Sequence, residues 1–214
     1  MTIPATIEGR VGTIARFKPL HMGAQLMLET ICSQAGEVII GIGSSNKYDV
    51  RNPFTAEETE EMIRRALSGY DNYSVVHVPD FAHLGPEYQD GQAWRKNVLR
   101  LFGELDYFIV ENGYVKKLLE EDYKIARPSS LIPKESQIMV SGTMVRVEMA
   151  KNGDWKSLVS KEVADYLTEP GKAGSYENLV DRFRKEFGLE TLASMATEGI
   201  YARDAETEYR RTLV

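Results

Sequence analysis

The sequence predicts an α/β fold, with a parallel sheet covered by helices on both faces and a helical C-terminal region after it. Three observations point there. Apolar runs of strand length alternate with helix-patterned segments, the order that builds a parallel sheet with right-handed crossovers. The run EVIIGIG, Glu37 to Gly43, is continuously apolar after its first residue, as expected of a central strand buried on both faces. The first run ends in a turn carrying Arg16, Lys18 and His21 and passes into a helix pattern. Such turns lie at the carboxyl ends of strands, where α/β sheets bind ligands.

Taken in order, strand one is expected from Arg10 to Arg16 and helix one from Met22 to Ala35, with Gly36 as its stop. Strand two is EVIIGIG. A polar turn-rich segment, Gly43 to Phe54, leads to a second helix that runs to Ser68. Thr55 with Glu58 three residues on makes a capping box for that helix, and Glu57 suits its positive end. YSVVHV, Tyr73 to Val78, reads as strand three. A long loop from Pro79 to Gly91 precedes helix three, Gln92 to Phe102, and DYFIV, Asp106 to Val110, reads as strand four. A helix from Gly113 to Glu121 leads to a short strand, Tyr123 to Ala126. A proline-bearing loop, Arg127 to Ile138, follows, and the segment from Val140 enters another helix. Helical patterns recur over Lys161 to Leu167 and Tyr176 to Phe187, and through much of the tail from Leu189. The expected organisation is a sheet domain over residues 1–150 with residues 151–214 packed on it.

Composition narrows the function. At 214 residues with 43% apolar and 27% charged side chains, the chain suits one domain, or a domain with an appendage, and a sizeable core. A net charge of −6 argues against general nucleic-acid binding but leaves nucleotides open, since those need only a local basic cluster. Cys32 is the single cysteine, a small residue suited to a buried helix face, and a reducing compartment is expected. The segment MTIPATIEGR lacks the pattern of a signal peptide, and no apolar run approaches the roughly 20 residues of a membrane span. A cytoplasmic protein without membrane or nucleic-acid partners is the expectation.

The candidate site follows from the first turn. Arg16 presents a planar fork and Lys18 a point charge for phosphate, while His21 and Gly23 stand where a helix opens its free amides. Ser141 and Thr143 enter a later helix, with Arg146 one turn on, and form a second anion pocket. His77 reads as structural, His83 as a loop residue near Asp80, and Trp155 as packing between C-terminal helices. No His/Cys/Asp/Glu cluster has zinc spacing, and neither GxSxG nor a P-loop occurs.

Four segments in order resemble the HxGH nucleotidyltransferase superfamily, and within it the archaeal-type nicotinamide mononucleotide adenylyltransferases. They are Ala15-Arg16-Phe17-Lys18-Pro19-Leu20-His21-Met22-Gly23-Ala24; Gly41-Ile42-Gly43-Ser44 with Asn52-Pro53-Phe54-Thr55; Pro79-Asp80 with Trp94; and Val140-Ser141-Gly142-Thr143-Met144-Val145-Arg146. The resemblance implies a Rossmann-like sheet and in-line attack of a nucleotide monophosphate on the α-phosphorus of ATP, assisted by Mg²⁺. It also implies catalysis by His21, Lys18 and Arg16, and ATP binding by Arg16, Phe17, His21, Gly23, Ser141, Thr143 and Arg146. The second substrate falls to Gly43, Ser44, Asn52, Asp80 and Trp94, and a homo-oligomer is expected, with Tyr201 and Tyr209 as possible anchors.

One departure bears on catalysis. The motif's second histidine is replaced by Ala24, and the usual glycine before Arg16 by Ala15. Losing a preorganised donor of this kind costs roughly 10²–10³ in rate. Two alternatives to an NAD-forming enzyme stand: a relative using another phosphorylated acceptor or CTP, to which the divergent loop from Phe81 to Gly91 points, and a nucleotide-binding protein with impaired catalysis, to which Ala24 points.

Overall fold

The computed structural model describes residues 7–197. Five strands form its sheet: β1 (Arg10–Ala15), β2 (Glu37–Gly43), β3 (Tyr73–Val78), β4 (Tyr107–Ile109) and β5 (Ile125–Ala126). Their order is β3-β2-β1-β4-β5, and every pairing is parallel. The chain builds outward from β1 on one side, then returns to build on the other. The reversal lies between β1 and β4, and ligands bind Rossmann-like sheets beyond the carboxyl ends of strands at such a point.

Helices cover both faces: α1 (Met22–Gln34), α2 (Ala56–Ala66), α3 (Gln92–Phe102), α4 (Gly113–Leu119), α5 (Gly142–Ala150), α6 (Lys161–Thr168), α7 (Leu179–Phe183) and α8 (Leu189–Thr197). Strand periodicity divides β2 between two cores. Val38, Ile40 and Ile42 join Leu28, Met62, Leu167 and Phe183 beneath α1, α2 and the C-terminal helices. Ile39 joins Val98, Phe102 and Leu119 beneath α3 and α4. Both faces are thus dry, which explains the unbroken apolar run. Gly41 makes room for the second core: a Cβ there would lie 2.7 Å from the Phe102 ring. Its close approach serves packing rather than a ligand.

The N-terminus of α2 forms as its sequence predicts. Thr55 Oγ1 accepts from the Glu58 amide at 3.2 Å, and Glu58 Oε2 accepts from the Thr55 amide at 2.9 Å. Other boundaries contract. β5 starts at Ile125, because Tyr123 serves the core instead: its hydroxyl donates to Gly103 O at 2.8 Å and its ring lies 5.4 Å from that of Phe108. β4 starts at Tyr107, because the Asp106 carboxylate accepts from the Arg10 amide at 2.8 Å. The loop before α5 holds two 3₁₀ turns, Pro128–Ser130 and Lys134–Ser136. Trp155 is buried in the larger core. A π-helical stretch, Arg184–Gly188, joins α7 to α8. Tyr201 and Tyr209, expected as subunit anchors, lie outside the described residues.

Candidate active site

The turn from β1 into α1 is the centre of the site. Its first residues sit on unusual backbone. Phe17, just past β1, has φ +53°, and Ser44, just past β2, has φ +49°. Left-handed backbone at a non-glycine residue costs about 1–3 kcal/mol and collects at functional sites. The Phe17 ring is buried in the core, so that residue offers the site only its main chain. Arg16 is exposed.

His21 is the N-cap of α1. Its Nδ1 accepts the Ala24 amide proton at 3.2 Å, which fixes the tautomer: the ring proton resides on Nε2. Burial, reinforced by the Arg146 charge, holds its pKa down at about 4. At neutral pH it is therefore an uncharged N–H donor on a helix N-terminus. Ala24, standing where the motif has its second histidine, contributes the backbone amide that orients the first. Gly23 lets the segment before α5 close over this helix start, since a Cβ there would lie 2.4 Å from Ile138 O.

Arg146 is buried and reaches back across the fold. Its guanidinium donates to Lys18 O at 2.9 Å and to Thr143 Oγ1 at 3.0 Å. Ser141 caps α5, its hydroxyl accepting from the Met144 amide at 3.3 Å. The starts of α1 and α5 are thereby held together, bringing two helix N-termini near each other and the Arg146 charge within reach of the His21 imidazole. That arrangement suits a polyphosphate.

Lys18 is placed differently from the expected phosphate hold. Its Nζ donates to Ser44 O at 3.0 Å and to Lys47 O at 3.2 Å, tying the β1 turn to the loop after β2. Burial lowers its pKa to about 8, with Asp49 opposing the shift and Arg16 adding to it. Asn46 continues the chain of contacts. Its side chain donates to Asp80 O at 2.9 Å and accepts from the Asp80 amide at 2.8 Å. Asn52, expected at the second substrate, is buried and donates to Asp49 Oδ1 at 2.9 Å, shaping the loop.

A cleft of about 610 Å³ opens beside this cluster, over the carboxyl ends of β1, β2 and β4. Arg16, Gly43, Ser44, Asp80 and Trp94 line it. Lys18, His21, Gly23, Asn52, Ser141, Thr143 and Arg146 do not; apart from Asn52 they gather at the neighbouring turn. Trp94 divides itself between roles, half-buried against the second core and lining the cleft. Thr13 closes the floor, its hydroxyl donating to Ile109 O at 3.0 Å.

Residues 13–148, well over half of the chain, match the cytidylyltransferase-like family. The chain belongs to that family. Among archaeal relatives named nicotinamide-nucleotide adenylyltransferase, that of Methanolobus tindarius is 31% identical over 159 residues, covering 73% of this chain and 86% of its own. That of Methanococcus vannielii is 30% identical over 176 residues, covering 81% of this chain and 96% of its own. A bifunctional NMN adenylyltransferase/ADP ribose pyrophosphatase from Francisella tularensis shares the fold at a TM-score of 0.55 and 17% identity. It is covered over 96% of this chain, which spans 56% of that larger protein.

Within this family member, sequence reasoning missed part of the cleft. Phe81 and Tyr88 come from the long loop after β3, Glu111 from the turn after β4 and Tyr114 from the first turn of α4. Strand four ending at the switch point was a signal that could have found Glu111 and Asn112. The divergence of the loop from Phe81 to Gly91 pointed to the acceptor side, but without a regular pattern it did not single out Phe81 or Tyr88. Among the described residues no group of three or more His, Cys, Asp or Glu is placed to hold a metal, and no helix is long and apolar enough to cross a membrane.

Proposed function

We propose that this cytidylyltransferase-like protein joins the AMP part of ATP to nicotinamide mononucleotide, giving NAD and pyrophosphate. The observation that carries the reading is the meeting of His21 and Arg146 at two helix N-termini, beside a cleft walled by Trp94. The shared name of the archaeal relatives supports the choice of substrates.

In this reading ATP lays its phosphates against α1 and α5, and the acceptor lies in the cleft. An acceptor phosphate oxygen attacks the α-phosphorus in line. The bond from that phosphorus to the α–β bridging oxygen breaks, and pyrophosphate leaves with the electron pair. His21 Nε2–H donates to a non-bridging α-oxygen as charge builds there; it moves no proton. Arg16, Ser141 and Thr143 hold phosphate oxygens, with Gly23 keeping the α1 amides accessible. Arg146 adds charge and locks the two helix starts together. Lys18 contributes charge near the turn and fixes Ser44. Gly43, Ser44, Asp80 and Trp94 shape the acceptor side, where the Trp94 ring suits a flat pyridinium cation. Positioning and charge supply the rate, with no covalent intermediate on the protein.

Mg²⁺ enters as the partner of ATP. The protein has no described cluster that fits it, and Mg²⁺ of this type rides on substrate phosphates, keeping several waters. Residues 1–150 carry the chemistry in this reading, and the following helices brace it. A homo-oligomer in the cytoplasm completes the proposal, checked by light scattering and fractionation.

The test is a panel of ATP and CTP against nicotinamide mononucleotide and other phosphorylated acceptors, reading pyrophosphate. Preference for ATP with nicotinamide mononucleotide is expected. Preference for CTP or another acceptor overturns the substrate choice, and ATP binding without turnover favours the sensor reading that Ala24 motivates.

A further inference from the structure

The loop between β2 and α2, residues 44–55, is the hub of the acceptor side. Its Ser44 lines the cleft, its Ser44 and Lys47 carbonyls take the Lys18 ammonium, and its Asn46 holds Asp80 through two hydrogen bonds. The outer side of this loop is gripped by residues from beyond the family match. Arg182 on α7 pairs with both oxygens of Glu58, each at 2.6 Å, and donates to Pro53 O at 3.3 Å. The pair is largely buried, its side chains 12% and 14% exposed. The Arg182 guanidinium also lies over the Tyr48 ring, 5.5 Å from its centroid. Tyr48 is held in turn by Phe187, ring to ring at 5.2 Å, and its hydroxyl donates to the Glu186 carboxylate.

We propose that Arg182, seconded by Tyr48, is a positioning residue for acceptor binding: it sets the conformation of the 44–55 loop and through it Ser44 and Asp80. Lys18 and Asn46 join the loop to the cleft from inside, but a polar segment of this length has several ways to satisfy itself. A bidentate guanidinium–carboxylate pair fixes geometry as well as charge. Here its carboxylate also completes the α2 capping box, so one residue, Glu58, receives the loop and α7 together. The Arg182 hydrogen bonds and its ring contact all go to Glu58, Pro53 and Tyr48, on the acceptor side of the site.

The inference rests on the function proposed above, and the test separates the two. Arg182→Met, Arg182→Lys and Tyr48→Phe are compared with the unchanged protein in steady-state kinetics with Mg·ATP and nicotinamide mononucleotide. Amide hydrogen exchange over residues 44–55 is measured on the same samples without substrate. Arg182→Met is expected to raise KM for the acceptor about tenfold or more, leaving KM for ATP and kcat within about threefold, because misplacing binding groups by an ångström is felt strongly. Exchange over 44–55 should accelerate, Arg182→Lys should recover part of both effects, and Tyr48→Phe should show a smaller change of the same kind. Unchanged acceptor KM and exchange in Arg182→Met overturn the proposal. So does an equal rise in both KM values. Should Arg182→Met fail to fold, Tyr48→Phe decides on the same two readouts. An unchanged protein without turnover refutes the proposed function alone, and the exchange data still decide the role of Arg182.

Discussion

Replacing His21 separates its two roles. It caps α1 through Nδ1 and offers Nε2–H to the site. In His21→Ala both are lost. In His21→Asn a good capping side chain remains, but it is shorter and has no imidazole N–H to present. Loss of the cap costs about 0.5–2 kcal/mol of stability. Loss of one preorganised donor to the transition-state oxyanion costs roughly 10²–10³ in kcat, or about 2.7–4 kcal/mol. Ala24 provides no second imidazole to share that charge, so the larger end is expected. Both variants should therefore lose kcat by a factor of roughly 10²–10³ in pyrophosphate release, while only His21→Ala shows a lowered Tm. A His21→Asn protein that keeps most of its kcat would refute the assigned donor.

Further expectations follow from the same geometry. The folded pKa of His21, about 4 against 6.5 in the unfolded chain, means the unfolded state binds the extra proton between those values. Stability should fall as pH drops from 6.5 to 4, by about 3 kcal/mol at most, and the slope of Tm against pH should flatten in His21→Asn. For Lys18 the folded pKa of about 8 predicts a decline of kcat/KM above that pH, as the ammonium discharges. The contribution of Lys18 to stability rises over the same interval, since the unfolded state holds the proton up to 10.5, so its discharge does not itself favour unfolding. Lys18→Arg should move the decline to higher pH, and an unmoved limb would reject Lys18 as its source. Gly23→Ala should lower stability by about 1–3 kcal/mol and raise KM for ATP, because the added methyl meets the Ile138 carbonyl; wild-type values for both would contradict the packing. Trp94→Ala should raise acceptor KM about tenfold, for about 1–2 kcal/mol of lost ring contact, with Trp94→Phe intermediate. Equal acceptor KM in all three would remove Trp94 from the cleft's function.

Local signals made much of this fold legible. The unbroken run of β2, the capping box at Thr55 and the alternation of strands and helices each depend on near neighbours, and each forms where expected. The turn bearing Arg16, Lys18 and His21 was legible for the same reason. What the sequence hid depends on distance along the chain. The Lys18 ammonium turns to carbonyls of the loop after β2, Arg146 reaches 128 residues back to Lys18 O, and Glu58 finds Arg182 124 residues on. The acidic run from Glu57 to Glu61 thus reads as a solvated helix start, yet one member is half of a largely buried ion pair. Tyr123 illustrates the limit for strands. Its β-favouring character matches β5, but a hydrogen bond and a stacked ring recruit it to the core just before that strand begins.

The most direct test of the central claim is formation of NAD by the unchanged protein from ATP, Mg²⁺ and nicotinamide mononucleotide, followed by chromatography, beside Ala24→His. NAD and equimolar pyrophosphate are expected from the unchanged protein, with one oriented imidazole and the Arg16 and Arg146 charges sufficient. Silence in both proteins, with ATP still bound, would contradict that claim.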